Sequence, residues 1–182
     1  FLNSSKLLIW YAKNPAINHP KLKAYPLGPK WQWKTTQFFG ENKANNMKIF
    51  YTFGLEPERN IHNTELKRHL LYFNFNQTTN NPLYQPHKNI RHKAKTDLLK
   101  NGFNWNENEE FESYIKTLST YKFCIAPPGR GIDSHRCWEA LMVGTIPIVV
   151  SSPLNELYKG LPVIIVDSWD IITTEFLNKK YD

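Results

Sequence analysis

The feature that most constrains the fold is a regular alternation of short apolar runs and amphipathic stretches in the second half of the chain. The apolar runs are rich in β-branched residues and too short for core helices, so we predict strands at Tyr121–Ala126, Ile146–Val150 and Val163–Val166. The amphipathic stretches predict helices at Glu109–Thr120, Asp133–Val143 and Ser168–Lys179, the last with Ser168 as its N-cap. Short buried strands that alternate with helices indicate an α/β fold, with one parallel, Rossmann-like sheet covered by helices on both faces.

The first half of the chain continues this pattern less regularly. His69–Phe75 is a continuous apolar run, which predicts a fourth strand in the same sheet. The segment His87–Asn101 is predicted to be a helix that ends at Gly102. Aromatic and apolar content predicts two further strands, at Leu7–Asn14 and Lys48–Gly54.

The stretch PPGRGIDSHRCWEAL, which begins at Pro127, joins one predicted strand to the next helix. In a parallel sheet, ligands bind at this edge, where strands end and helices begin. We expect Gly129 and Gly131 to let the backbone approach a ligand, and the start of the helix to attract a phosphate. Arg130 and Arg136 can each donate two hydrogen bonds to phosphate oxygens. The stretch matches neither the GxxxxGK[ST] loop nor the GxGxxG fingerprint.

Other polar residues of the same stretch allow more than one interpretation. Glu139 follows Arg136 by three residues, so both lie on nearly the same helix face. Its carboxylate would either accept two hydroxyls of a ribose or sugar, or form an ion pair with Arg136. His135 would contact a phosphate or sugar, or simply pack at the surface. Asp133 is expected to be the N-cap of the helix rather than a ligand group.

The net charge of +7 and the pI near 9.3 favour an anionic partner, such as a nucleic acid, a membrane surface or a phosphate-bearing small molecule. A solvated basic surface would explain the charge equally well. Basic residues are densest at Lys88–Lys95, but the sequence has no zinc-finger, RNP or basic heptad pattern, so we expect no nucleic-acid partner. No run approaches about 18 apolar residues, so contact with a membrane is expected only through a segment outside this sequence.

The composition, the histidines and the cysteines further limit the number of domains and the kinds of site that the chain can form. Hydrophobic residues make up 41% of the 182 residues, enough for the core of one ordinary domain or two small ones. The six histidines form no HxH or HExxH pair, so we expect neither a metal site nor another cofactor. The two cysteines, Cys124 and Cys137, are predicted to be buried thiols rather than part of a disulfide framework.

The run FCIAPPGRGIDSHRCWEALMVGTIPIVV, followed by SSPLNELYKGLPVIIVDSW, resembles the donor-binding half of exostosin-like glycosyltransferases. That family carries a proline-rich loop, an arginine, an R-x-x-EAL motif and a G-x-[IV]-P-[IV] strand. The upstream runs HPKLKAYPLG and LLYFNFNQTT also resemble family segments, and the similarity extends over residues 7–175. A weaker similarity exists to fucosyltransferase donor domains, which use a related strand, loop and helix.

The resemblance implies a GT-B architecture, in which two Rossmann-like domains face each other across a cleft. Residues 1–46 would form the region of the interdomain crossing, and residues 47–182 the nucleotide-sugar-binding domain. Arg130 and Arg136 would hold the diphosphate of a UDP-linked donor, Glu139 its ribose, and no metal would be needed. The donor-binding set expected from the motif and the resemblance is Gly129, Arg130, Gly131, Ser134, His135, Arg136 and Glu139.

The function implied is transfer of a sugar from a nucleotide sugar to a glycan or another hydroxyl acceptor. The catalytic base is expected in an N-terminal acceptor domain that is mostly absent, so the chain is either a fragment of a larger enzyme or an isolated donor-binding domain. Two alternatives stay open: a non-catalytic module that binds a nucleotide or glycan, and a fucosyltransferase-like enzyme that uses a GDP-sugar. The compartment would be the Golgi or ER lumen if a eukaryotic N-terminal anchor is missing, and the cytoplasm otherwise.

Overall fold

The structure, a computed structural model, describes residues 1–30, 49–50, 67–79 and 89–181. Its strands are β1 (Trp10–Ala12), β2 (Leu22–Ala24), β3 (His69–Tyr72), β4 (Tyr121–Ile125), β5 (Ile146–Val150) and β6 (Ile164–Val166). Its helices are α1 (Ile90–Lys100), α2 (Phe111–Leu118), α3 (His135–Met142) and α4 (Thr174–Tyr181), with a 3₁₀ turn at Asn155–Tyr158. Among these described helices, none is long and apolar enough to cross a membrane.

The central sheet has four strands in the order β3-β4-β5-β6, and all neighbours are parallel. Phe123 of β4 lies opposite Leu71 on one side and Ile146 on the other, and Ile148 of β5 pairs with Ile164. Strands that are buried on both faces favour continuous apolar runs, which is why these segments were recognisable from the sequence. The predicted parallel sheet is therefore confirmed.

Helices cover both faces of this sheet because successive strand residues point in opposite directions. On one face, Leu71 and Phe123 pack with Leu98 of α1 and Leu177 of α4. On the other face, the cluster contains residues of two strands and of helices α2 and α3: Tyr72, Cys124, Ile115, Leu118 and Ala140. Burying each large apolar side chain stabilises the fold by about 1.5–3 kcal/mol, so both layers contribute to the stability of the sheet.

Two predicted helix ends are set by glycine. Gly102 has φ +86° and Gly144 has φ +66°, the left-handed conformation that a residue with a Cβ atom adopts at a cost. At both ends the glycine N–H and the next N–H bond back to carbonyls in the last helical turn, as in a Schellman motif. The turn after Gly144 leads into β5.

The last helix begins later than predicted. Ser168 is not its N-cap, because α4 starts at Thr174 and the hydroxyl of Thr173 accepts the N–H of Phe176 at 3.1 Å. The residues between them form a turn that places Trp169 and Ile172 in the core, where they are 1% and 0% exposed. Burial of these two side chains outweighs the helical pattern read from the sequence.

Other predictions for the first half of the chain have mixed outcomes. The strand predicted at Leu7–Asn14 exists as β1, which pairs in parallel with β2. The strand predicted at Lys48–Gly54 is wrong where it can be checked, because Ile49 and Phe50 are helical. Its remaining residues, and the proposed domain boundary at residue 46, lie outside the described residues.

A buried lysine lies at the amino edge of the sheet. The ammonium of Lys67, just before β3, donates to the carbonyls of Ser119 and Val143 and to the hydroxyl of Thr145, at 2.8–2.9 Å. Ser119 and Val143 are the C-caps of α2 and α3, where the helix dipoles favour a positive charge. Burial nevertheless lowers the pKa of Lys67 from 10.5 to about 8.

Candidate functional site

The candidate site lies at the carboxyl edge of the sheet, where β3 and β4 end and α3 begins. Ser134 has extended backbone angles and is the N-cap of α3, so the N-cap predicted at Asp133 is wrong by one residue. The hydroxyl oxygen of Ser134 is buried and has no hydrogen-bond partner among the described residues. The N-terminal turn of α3 therefore presents a polar group without a described partner, next to the loop that was predicted to bind phosphate.

Asp133 anchors the surroundings of this helix start. Its Oδ2 accepts the N–H of Leu27 and the indole N–H of Trp138, both at 2.8 Å. Its Oδ1 accepts the N–H of Ser134 at 2.9 Å and the hydroxyl of Tyr158 at 3.2 Å. With four donors around it and only 3% exposure, this carboxylate is structural. It ties the N-terminal segment of the chain to the start of α3.

Two of the predicted donor-binding residues hold the same N-terminal segment. The Nδ1–H of His135 donates to the carbonyl of Gly28 at 2.7 Å, which leaves Nε2 as its second polar atom. Oε1 of Glu139 accepts the N–H of Lys30 at 3.1 Å, and Oε2 accepts the hydroxyl of Tyr114 at 2.8 Å. Both side chains therefore bind protein groups in this structure.

The environment of Glu139 bears on its two predicted roles. The side chain is buried, and in the described part of the chain it forms no ion pair with Arg136, the alternative raised by their spacing. Burial raises the pKa of Tyr114, so its hydroxyl stays protonated and donates to the carboxylate. A ribose would have to bind the remaining lone pairs of an already hydrogen-bonded carboxylate, so the ribose role stays a prediction.

Arg136 is half-buried among aromatic rings. Its guanidinium carbon lies 4.8 Å from the ring centre of Tyr114 and 5.5 Å from that of Tyr72, within the range of cation–π contacts. Its Nη1 donates to the carbonyl of Asn74, just after β3. Burial acts to lower the pKa of Arg136, but neighbouring side chains, Tyr114 and Cys124 ahead of Glu139, raise it overall, so the guanidinium stays charged.

The two glycines of the loop lie close to protein side chains. A Cβ on Gly129 would lie 2.8 Å from Nη2 of Arg91, and a Cβ on Gly131 would lie 2.5–2.7 Å from the amide of Asn14. Oδ1 of Asn14 accepts the N–H of Asp133 at 2.5 Å. Protein side chains therefore occupy the space that a Cβ would take at either glycine, and the approach of a ligand to their backbone stays a prediction.

Arg91 is a candidate that sequence reasoning missed. Its Nε donates to the carbonyl of Pro128 at 2.6 Å, and Nη2 to that of Pro127 at 3.3 Å. Its Nη1 donates to the carbonyl of Asn76 at 2.8 Å, after β3. The only sequence signal was the high density of basic residues at Lys88–Lys95. By contrast, the predicted phosphate ligand Arg130 is exposed.

Arg91 and Arg136 give the site its positive charge. Burial and, to a smaller extent, the charge of Arg136 together lower the pKa of Arg91 to about 10. Within the described ranges, neither guanidinium has a carboxylate at ion-pair distance. Their described hydrogen-bond and ring partners are neutral carbonyls and aromatic rings, and the carboxylate of Glu139 acts on Arg136 only from beyond ion-pair distance. A bound anion would stabilise this arrangement.

The described residues contain no group of three or more His, Cys, Asp or Glu side chains that could hold a metal ion. No protein-family model matches this chain, and no curated protein is significantly similar to it. The resemblance to exostosin-like glycosyltransferases therefore rests on the sequence motifs alone.

Proposed function

We propose that the protein binds the nucleoside diphosphate of a nucleotide sugar, with UDP as the first candidate. The observation that carries this proposal is the pair of half-buried guanidinium groups, Arg91 and Arg136, at the carboxyl edge of a parallel sheet. Such edges are the usual ligand sites of α/β sheets, and paired arginines suit phosphate oxygens. The start of α3 adds backbone N–H groups that favour the same charge.

In this proposal the chain is the donor-binding domain of a GT-B glycosyltransferase. An acceptor hydroxyl attacks the anomeric carbon of the sugar, and the bond from that carbon to the diphosphate oxygen breaks. Negative charge then develops on the departing diphosphate, where Arg136 and the exposed Arg130 would stabilise it. No described residue is proposed as the general base.

Titration calorimetry with UDP, GDP, ADP and inorganic pyrophosphate tests the proposal. Arg136→Ala should weaken UDP binding by about 1.5–3 kcal/mol, as for loss of a hydrogen bond to a charged group. Arg68→Ala is the matched control, because Arg68 is exposed and precedes β3 at the opposite edge of the sheet. Unchanged affinity in an Arg136→Ala protein with a native circular dichroism spectrum would remove Arg136 from the site.

The same ligand panel separates the alternatives. Tighter binding of GDP than of UDP would favour a fucosyltransferase-like donor site. Binding by a full-length protein that transfers no sugar from a donor panel would favour a non-catalytic module. If the wild-type protein binds none of the four ligands, the proposed function is wrong.

A further inference from the structure

Arg91 joins two loops that no other described side chain connects in this way. Its three hydrogen-bonding nitrogens reach the carbonyls of Pro127 and Pro128, after β4, and of Asn76, after β3. A guanidinium presents its donors in a rigid planar fork, whereas a lysine ammonium is a single point of charge on a flexible stem. Arg91 can therefore fix the distance between the two loops at the proposed ligand edge.

Gly129 is matched to this arginine by space rather than by backbone conformation. Its φ is not in the positive range, so an L-residue could adopt its backbone angles. A Cβ at this position would nevertheless come within 2.8 Å of Nη2 of Arg91, closer than real Cβ contacts allow. A methyl group on residue 129 would thus displace the Arg91 guanidinium without straining the backbone.

The position of Arg91 also has an electrostatic consequence. Its guanidinium lies over the ring of Phe75 at 5.7 Å, in the same edge of the sheet as Arg136. Repulsion between the two cations opposes their burial, and an anion between the loops would relieve it. The loop that Arg91 holds contains Gly129, Arg130 and Gly131, which lead directly into α3.

From this geometry we propose that Arg91 is a positioning residue for anion binding: it fixes the Pro127–Gly129 turn through two carbonyls, ties that turn to the carbonyl of Asn76 after β3 and, together with Arg136, supplies the positive charge that a bound diphosphate neutralises. The inference rests on the proposed function for the identity of the anion. It goes beyond the predicted donor-binding set, which did not contain Arg91.

The first arm of the test is a stability cycle that needs no ligand. Gly129→Ala should lower the urea midpoint of the wild-type protein, because its methyl displaces the Arg91 guanidinium. The same substitution in an Arg91→Ala background should change the midpoint little, because the group it displaces is gone. Equal effects of Gly129→Ala in both backgrounds would overturn the contact on which the inference depends.

The second arm measures UDP and inorganic pyrophosphate binding by calorimetry in variants that remain folded. Arg91→Ala should weaken both ligands by about tenfold, the lower end expected for a charge-assisted contact because Arg91 acts partly through the loop. Arg91→Lys keeps the charge but not the fork, so it should recover only part of the loss. Gly129→Ala should weaken binding in the wild type and have little further effect in Arg91→Ala.

The outcomes distinguish this inference from the proposed function. If Arg136→Ala weakens UDP binding while Arg91→Ala leaves it unchanged, Arg91 is only a structural brace and the inference is wrong, although the donor site stands. If full recovery by Arg91→Lys is observed, charge alone matters and the positioning role is wrong. If the wild type binds neither ligand, both the proposed function and the positioning role of Arg91 are wrong. Arg68→Ala serves again as the control for loss of one exposed guanidinium.

Discussion

Lys67 makes the stability of the protein depend on pH in a direction that can be worked out. Its folded pKa of about 8 lies below the ordinary value of 10.5. A group whose pKa falls on folding binds its proton less tightly in the folded state. Below about pH 8, keeping Lys67 charged therefore lowers the free energy of unfolding by its full amount. This destabilisation disappears as the pH rises from about 8 to 10.5.

The size of this effect follows from the depth of the shift. At about 1.4 kcal/mol for each unit of pKa, charging Lys67 in the folded protein costs roughly 3 kcal/mol near neutral pH. Only 7% of the residue is exposed, so solvent screens this cost little. Two helix C-termini and three hydrogen bonds work in the opposite direction by stabilising the ammonium. The pH dependence of the free energy of unfolding shows whether burial or these favourable contacts have the larger effect on the ammonium.

The variant Lys67→Met provides the comparison. The free energy of unfolding of the wild type, minus that of Lys67→Met, should rise by roughly 2–3 kcal/mol between pH 7 and pH 10. Urea unfolding at whole pH steps measures it. Burial raises the pKa of some tyrosines, such as Tyr72, and this lowers the free energy of unfolding at high pH. Because both proteins contain these tyrosines, the effect cancels in the difference between them. Lys100→Met, which removes an exposed lysine, controls for the loss of one charge.

A difference that stays flat from pH 7 to pH 10 would refute this reasoning. It would mean that the carbonyl groups around Lys67 stabilise its ammonium as much as water does. A difference that falls with pH would mean that they hold it better, so that the pKa is raised in the folded state.

Two further predictions concern Glu139 and the thiols. Glu139→Gln should weaken UDP binding, and 2′-deoxy-UDP should lose affinity for the wild type but little more for the variant; a penalty that persists unchanged in the variant would remove the ribose role. Because burial raises the pKa of Cys124 to about 12 and that of Cys137 still further, neither thiol should react with Ellman's reagent within minutes at pH 8, while both should react in urea. Rapid reaction of the native protein would contradict the burial on which this prediction rests.

The sheet could be predicted from the sequence because its strands carry their own signal. Each of β3 to β6 is an apolar run, and each helix predicted between them has its buried face at helical spacing. The start of α4 could not be predicted in this way, because Ser168 and Thr173 are both good N-cap residues. Only the burial of Trp169 and Ile172, a tertiary effect, decides between them.

The candidate site was predicted less completely because backbone atoms are its main partners. The sequence located the loop and Arg136, but not Arg91, whose hydrogen bonds go to carbonyls that every residue possesses. The bonds of His135 and Glu139 to the backbone of Gly28 and Lys30 were missed for the same reason. Polar side chains that bind main-chain groups leave no pattern of paired residue types to recognise.

The attachment of the N-terminal segment to α3 also has a consequence for how the chain is made. Leu27, Gly28 and Lys30 bond to side chains that lie 106, 107 and 109 residues further along the chain. At the usual elongation rate of about 5–20 residues per second, this segment waits on the order of 5–20 s for its partners to leave the ribosome. Contacts of such long range carry a large loop-closure cost, so they form late. We therefore expect the edge that bears the candidate site to be among the last parts of the newly made chain to take its final form.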